Sequence, residues 1–246
     1  MVRLSLKPAP FVVEPIPLRI VPIQGAHLIE EIPVGWIRNR KKKAEFDERN
    51  YPDVMVDLET LGTDASAQVL SIGAVRFRLD TVDDIQSILD EERNFYARLD
   101  ENDQASKGRS CDASTVEWWA NQSDGARQVF EEDREATAIA LKRFLKFCKG
   151  AKRIWGNGNM FDNAIVRSLC RDYNLEYPVP YHRDLDVRTL TYLWNSLTNW
   201  GSKGKRPTIE LGEEHNALDD ARRQVLQCQI MFNELRGSKY GPESAE

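Results

Sequence analysis

From Asp53 onward, Val54, Val56 and Leu58 alternate with Met55, Asp57 and Glu59, and a second stretch, Gln68 to Phe77, is almost continuously apolar. A period of two marks a strand, because successive side chains leave opposite faces of the pleat. Gly62-Thr63-Asp64 between the two runs is a turn signal, so they are expected to pair as an antiparallel hairpin. Asn94 to Leu99 is a third strand candidate. Downstream the period changes. Ser114-Thr-Val-Glu117 has capping-box spacing and predicts a helix start before Trp118-Trp119. Ala136 to Phe147 carries apolar residues at helical spacing, and Ile154-Trp155 reads as a short buried strand. Phe161, Ile165, Val166, Leu169 and Cys170 mark another helix; Leu218, Ala221, Val225, Cys228 and Phe232 mark the last long one. Strands first, helices later and one strand between helices predict an α/β chain with a mixed β-sheet flanked by helices.

Six of the eleven prolines fall before residue 34, and a basic run from Arg38 to Lys43 follows. That composition disfavours a helix and suits an extended arm. We read 1–50 as a proline-rich extension, 51–236 as the globular domain and 237–246 as a tail. With 246 residues and 41% hydrophobic composition the chain can bury one sizeable core. Its net charge of −5 gives no global positive field for polyanions, so a nucleic acid would need local patches or metal ions. Cys111, Cys148, Cys170 and Cys228 form no metal or disulfide pattern, which points to a reducing, cytoplasmic setting. No apolar run is long enough to span a bilayer.

Three short segments carry chemistry. Asp57 and Glu59, two apart on a strand, project from one face. Adjacent carboxylates repel, and a cation between them relieves the repulsion; hard oxygen ligands favour Mg²⁺ or Mn²⁺. Alone, such a pair more often simply faces solvent. The second segment, Trp155-Gly-Asn-Gly-Asn-Met-Phe-Asp162, is a strand end, a Gly/Asn loop and a helix start, with Asp162 in the first turn, where the helix dipole favours a carboxylate. Its glycines do not complete a phosphate-loop pattern. The third, His215-Asn-Ala-Leu-Asp-Asp220, enters the last helix.

Together, in this order, the three segments resemble the DEDDh family of 3′→5′ exonucleases, whose fold is ribonuclease-H-like. All five family positions have a match here: Asp57, Glu59, Asp162, His215 and Asp220. The phrases Asp57-Leu-Glu-Thr-Leu-Gly62, Leu70-Ser-Ile-Gly-Ala-Val75, Trp118-Trp119 with Gln122-Ser123, Trp155-Gly-Asn-Gly158 and Asp186-Val-Arg-Thr189 are similar to the branch containing a T-even phage exonuclease and a mycobacterial exoribonuclease-like protein. The resemblance spans about Asp53 to Leu235 and leaves the proline-rich arm uncovered.

The resemblance implies two divalent metal ions, Mg²⁺ or Mn²⁺, held by Asp57, Glu59, Asp162 and Asp220. Asp57 would bridge both ions, Glu59 and Asp220 would complete the site of the nucleophilic water, and Asp162 would serve the other. His215 would take that water's proton as general base. The implied substrate is the 3′ end of single-stranded DNA or RNA, DNA favoured, and the product a nucleoside 5′-monophosphate. A bacterial or phage-infected cytoplasm fits the resemblance, and a homo-oligomer is left open. Lys203, Lys205 and Arg206, in a glycine-containing loop, are candidate phosphate contacts, and Trp118 or Trp119 a candidate stacking platform for a terminal base. Adjacent helical residues point well apart, so one tryptophan is expected in the core. Asp186 is read as a helix cap and kept out of the catalytic set. Two rivals remain: an exoribonuclease, which shares every catalytic residue, and a non-catalytic nucleic-acid-binding module, which would be expected to lack one. A carboxylate-pair glycosidase leaves the His215–Asp220 segment unexplained.

Overall fold

The structure, a computed structural model, describes residues 47–131, 133–198 and 206–237. The proline-rich arm up to residue 46, Lys203, Lys205 and the tail from 238 lie outside the described residues. Five strands, β1 Asp53–Thr60, β2 Val69–Phe77, β3 Asn94–Arg98, β4 Arg153–Gly156 and β5 Asp184–Asp186, form one sheet in the order β3-β2-β1-β4-β5. The helices are α1 Ile85–Ile88, α2 Glu101–Ala105, α3 Ala113–Ala120, α4 Asp124–Arg127, α5 Thr137–Cys148, α6 Asp162–Asp172, α7 Val187–Leu197 and α8 Ala217–Gly237.

The expected hairpin is present: β1 and β2 are antiparallel, with Asp57 opposite Gly73 and Glu59 opposite Ser71. β2 and β3 are also antiparallel, whereas β1–β4 and β4–β5 are parallel, which makes the sheet mixed. Strand alternation divides the core in two. Val54, Val56 and Leu58 pack on one face with Leu141 and Phe144 of α5 and Ile165 and Leu169 of α6. Met55, Val75 and Trp155 pack on the other with Val187 and Trp194 of α7 and Val225 and Met231 of α8. Asp57 and Glu59 share the parity of Met55, so they emerge on the side that α8 covers.

Two local expectations need correction. The helix before the tryptophans is led by Asp112, not Ser114. Asp112 is extended, its N–H is tied to Leu61 O at 2.7 Å, and its carbonyl already accepts from Thr115 and Val116. Ser114 therefore falls inside the first turn, beyond reach of a capping role. β5 was not anticipated either: Asp-Leu-Asp offers one apolar residue, too little for a period.

All four cysteines are free; Cys148, Cys170 and Cys228 are buried and Cys111 is exposed. Among the described residues no helix is long and apolar enough to cross a membrane.

Candidate active site

The C-terminal half of β1 forms the floor. Glu59 is buried at 7% exposure, and Asp57 beside it is half-buried. Gly73, opposite Asp57 on β2, lets the start of α8 lie directly on the sheet: a Cβ there would collide with the backbone of Ala217 and Leu218. That close approach brings His215 and Asp220 over the strand. Asn216 caps α8 through its side-chain oxygen, accepting from Leu218 N at 3.1 Å and Asp219 N at 3.2 Å. His215 sits just before the cap with φ of 60°, a left-handed conformation, and its own N–H donates to Asp220 Oδ2 at 2.9 Å. Ligand atoms of Glu59, His215 and Asp220 lie within 4.8 Å of one another.

Asp162 arrives from the opposite side, as the first residue of α6. It is buried and accepts N–H bonds from Leu58, Asn157 and its own backbone, which fasten it to the end of β1 and to the Gly/Asn loop. Gly156 makes room, since a Cβ would press on Asp162 at 3.1 Å.

The electrostatics show the convergence independently. Burial, and then the charges of Asp162 and Asp220, hold the Asp57 carboxyl well above the ordinary range, against a hydrogen bond from Gln224. Burial and the charges of Asp57, Asp220 and Asp162 raise Glu59 likewise. Asp162 is pushed up to about 7, mainly by burial. Asp220 is raised by burial against the pull of Arg223, whose guanidinium bonds to it, and of His215. Burial raises all four carboxyls, and at Asp57 and Glu59 the neighbouring carboxylates add to it; such a set of hard oxygen donors could hold a divalent cation.

A family model described as the 3'-5' exoribonuclease Rv2179c-like domain matches residues 52–232, a span that contains all five of these residues. The chain belongs to that family. It is 25% identical over 223 residues to a protein of Enterobacteria phage T4 described as an exodeoxyribonuclease, covering 79% of this chain and 95% of the phage protein. The nuclease domain of 3'hExo, a DEDDh family member solved with bound rAMP, superposes with a TM-score of 0.51 at 15% identity, over 75% of this chain and 93% of that one. The Rv2179c-like domain described here therefore has the ribonuclease-H-like fold of the DEDDh 3′→5′ exonucleases.

The sequence-picked substrate contacts fare unevenly. Trp119, 2% exposed, fills a core with Leu61 and Leu70 and donates its indole N–H to Thr60 O at 2.9 Å. It has no free face for a base, and that expectation is withdrawn. Trp118 is 43% exposed and meets His215 edge-on, with ring centroids 4.9 Å apart. Arg206 is half-buried, and the charges that act on it are those of Cys228, Arg188 and Asp186, not those of the motif carboxylates. Asp186 caps α7 as expected, accepting from Thr189 N at 2.8 Å, and also accepts from Asn159 N at 2.7 Å, which holds the Gly/Asn loop.

Sequence reasoning missed several parts. Gln224, 5% exposed, donates to Asp57 Oδ1 at 2.7 Å; it lies one turn after Asp220, and that i+4 spacing was the available signal. Ser123 bonds Glu213 at 2.6 Å, tying α4 to the loop that leads into His215. Gly125 is the space that contact needs, because a Cβ would strike the Glu213 carboxylate.

Proposed function

We propose that this domain is a metal-dependent exonuclease that removes nucleoside 5′-monophosphates from the 3′ end of single-stranded nucleic acid, DNA favoured. Asp57, Glu59, Asp162 and Asp220 would hold two divalent ions, Mg²⁺ or Mn²⁺. The observation that carries this is the close grouping of Glu59, His215 and Asp220, with Asp57 and Asp162 near enough for the neighbouring carboxylates to raise Asp57 and Glu59. Bound divalent ions would supply charge neutralisation on the scissile phosphate and an acidified water.

The chain's own residues do the rest. His215, beside Glu59 and Asp220, is placed to accept the proton of an attacking water held at those carboxylates. Trp118 packs edge-on with the imidazole. The exposed part of Trp118 is the candidate platform for stacking on a terminal base. Gln224 fixes the orientation of Asp57 through its amide. The DNA preference is supported by the phage relative's description as an exodeoxyribonuclease. The family description, an exoribonuclease, favours RNA as the second reading.

The test is hydrolysis of 5′-end-labelled single-stranded DNA, single-stranded RNA and duplex with Mg²⁺ or Mn²⁺, products being sized over time. A ladder shortening from the 3′ end, abolished by EDTA, is expected. Internal cuts, or turnover indifferent to EDTA, would overturn the proposal.

A further inference from the structure

At the opposite end of β1 from the carboxylates the surface opens into a groove of about 560 Å³. Arg49, Arg78, Lys152 and Arg153 line it, with Asp80 the single acidic residue, and the buried Trp155 and half-buried Phe232 form part of the wall. Counting the carboxylates that pair with them, Asp47, Asp53 and Asp80, the four cations leave the patch an excess of one positive charge on a chain whose net charge is −5. The arginines are not idle: Arg49 pairs with Asp47, Arg78 with Asp80 and Arg153 with Asp53. The Arg49 and Arg78 pairs are solvent-exposed and worth little, whereas Arg153 is held firmly by the buried Asp53; a guanidinium has five N–H donors, so each can still take a phosphate oxygen.

The groove is connected to the candidate active site along one side of the molecule. Exposed Arg188 leans on Gly158 of the Gly/Asn loop, close enough for its charge to act on Asp162. Arg206 comes next, near enough to Arg188 and to Cys228 of α8 to feel their charges. Phe232 of the groove lies one helical turn beyond Cys228. Two rulers give the span. Glu59 to Asp53 is about 20 Å of strand at roughly 3.3 Å per residue. Asp220 to Phe232 is about 18 Å of helix at roughly 1.5 Å per residue.

We propose that this groove binds the phosphodiester backbone of the substrate strand upstream of its 3′ end, with Arg188 and Arg206 as the contacts in between. The proposal rests on the exonuclease reading for the position of the 3′ end, and on charge and geometry for the groove itself. At about 3.4 Å per phosphate of a stacked strand, the span corresponds to roughly six nucleotides. A dinucleotide cannot reach the groove, whereas a 20-mer can.

Two measurements on the full chain test this. The first is fluorescence anisotropy of 5′-fluorescein-labelled dT20 in EDTA, titrated across salt, for the parent, Arg78→Gln/Lys152→Gln and Arg78→Glu/Lys152→Glu. Two lost phosphate contacts should make the slope of log K against log[salt] shallower by about 1.4 in the Gln pair. The Glu pair should bind more weakly still. The second is the ratio of kcat/KM on dT20 to that on the 5′-phosphorylated thymidine dinucleotide with Mn²⁺, which should fall toward one in both variants. An unchanged salt slope and an unchanged length ratio would overturn the groove. Should the parent hydrolyse neither substrate, the exonuclease reading fails instead. Anisotropy then decides the groove alone: a shallower slope supports it and an unchanged slope overturns it.

Discussion

Removing divalent metal should make this domain lose stability as pH rises from 5 to 8, the reverse of ordinary acid denaturation. Asp162 shows the scale. Burial raises its pKa from 3.8 to about 7 in the fold, despite three backbone N–H bonds to the carboxyl. A folded-state pKa above the unfolded one means that the native state holds this proton more tightly. Its contribution is therefore complete below about pH 4 and lost as pH climbs through about 7. At about 1.36 kcal/mol per unit, the whole loss is on the order of 4 kcal/mol, and somewhat more than half falls between pH 5 and 8. Asp57, Glu59 and Asp220 are raised too and add in the same direction. Asp83, whose pKa is lowered through Arg93, works the other way, but its gain is already complete by pH 5. For a domain of this size a loss of about 2–3 kcal/mol corresponds to a fall in Tm of roughly 5–10 °C. The assay is thermal unfolding in EDTA at pH 5 and pH 8, repeated with Mn²⁺, which should restore more at pH 8 than at pH 5. Asp57→Asn, which keeps an acceptor for Gln224, should flatten the pH dependence in EDTA and abolish turnover with metal. A metal-free Tm that is flat or rising from pH 5 to 8 would refute the reasoning.

His215→Ala should keep metal and nucleic-acid binding and lower kcat by the ~10²–10⁴-fold of a lost general base; weaker binding with an undiminished rate at saturation would make it a binding residue. Gly73→Ala should cost several kcal/mol by the small-to-large mechanism, at least the ~1–3 kcal/mol of overpacking, because its Cβ meets helix backbone that cannot rotate aside; urea denaturation checks this, and a neutral result would mean α8 can lift off the sheet. Asp220→Ala should abolish single-turnover cleavage across a Mn²⁺ titration, whereas Asp219→Ala should retain much of it. Asp219 accepts from Glu213 N at 3.0 Å and pairs with Arg222, away from Glu59. The reverse ranking would show that the wrong neighbour has been assigned.

The architecture was legible where periodicity was strong, and the site where chemistry was local to a motif. Val54, Val56 and Leu58 against Met55, Asp57 and Glu59 predicted both the strand and the face, and the structure packs the first set with α5 and α6. The five motif positions were readable because each segment carries its own signature within a few residues. What escaped the sequence depends on contacts between distant segments. Gln224 looks like any polar residue on a helix until α8 lies over Asp57, 167 residues earlier in the chain. The bond between Ser123 and Glu213 spans 90 residues, with Gly125 giving it room. The groove at the far end of β1 collects cations from Arg49 to Arg153, and nothing in their spacing joins them. Gly73 lies between the two cases. An isolated glycine inside an apolar strand signals a close backbone approach, but only the register, which sets it opposite Asp57, identifies what approaches.

That register is also the reason the site can tolerate so much repulsion. The carboxylates come from β1, α6 and α8, and three of the four are fixed by bonds that do not depend on a cation. Asp162 is held by the N–H groups of Leu58 and Asn157, Asp57 by Gln224, and Asp220 by the His215 N–H and Arg223. On the proposed reading, a metal-free site built this way would keep these carboxylates near their positions for a cation instead of letting them swing apart into solvent. A bound cation would then relieve the carboxylate charges that raise Asp57 and Glu59, with little rearrangement. The same anchoring is the reason Asp219, one residue away, is expected to be a poor substitute. Its carboxylate is already committed to Glu213 and Arg222 on the outer side of the helix start, and recruiting it would mean unwinding the turn that Asn216 caps.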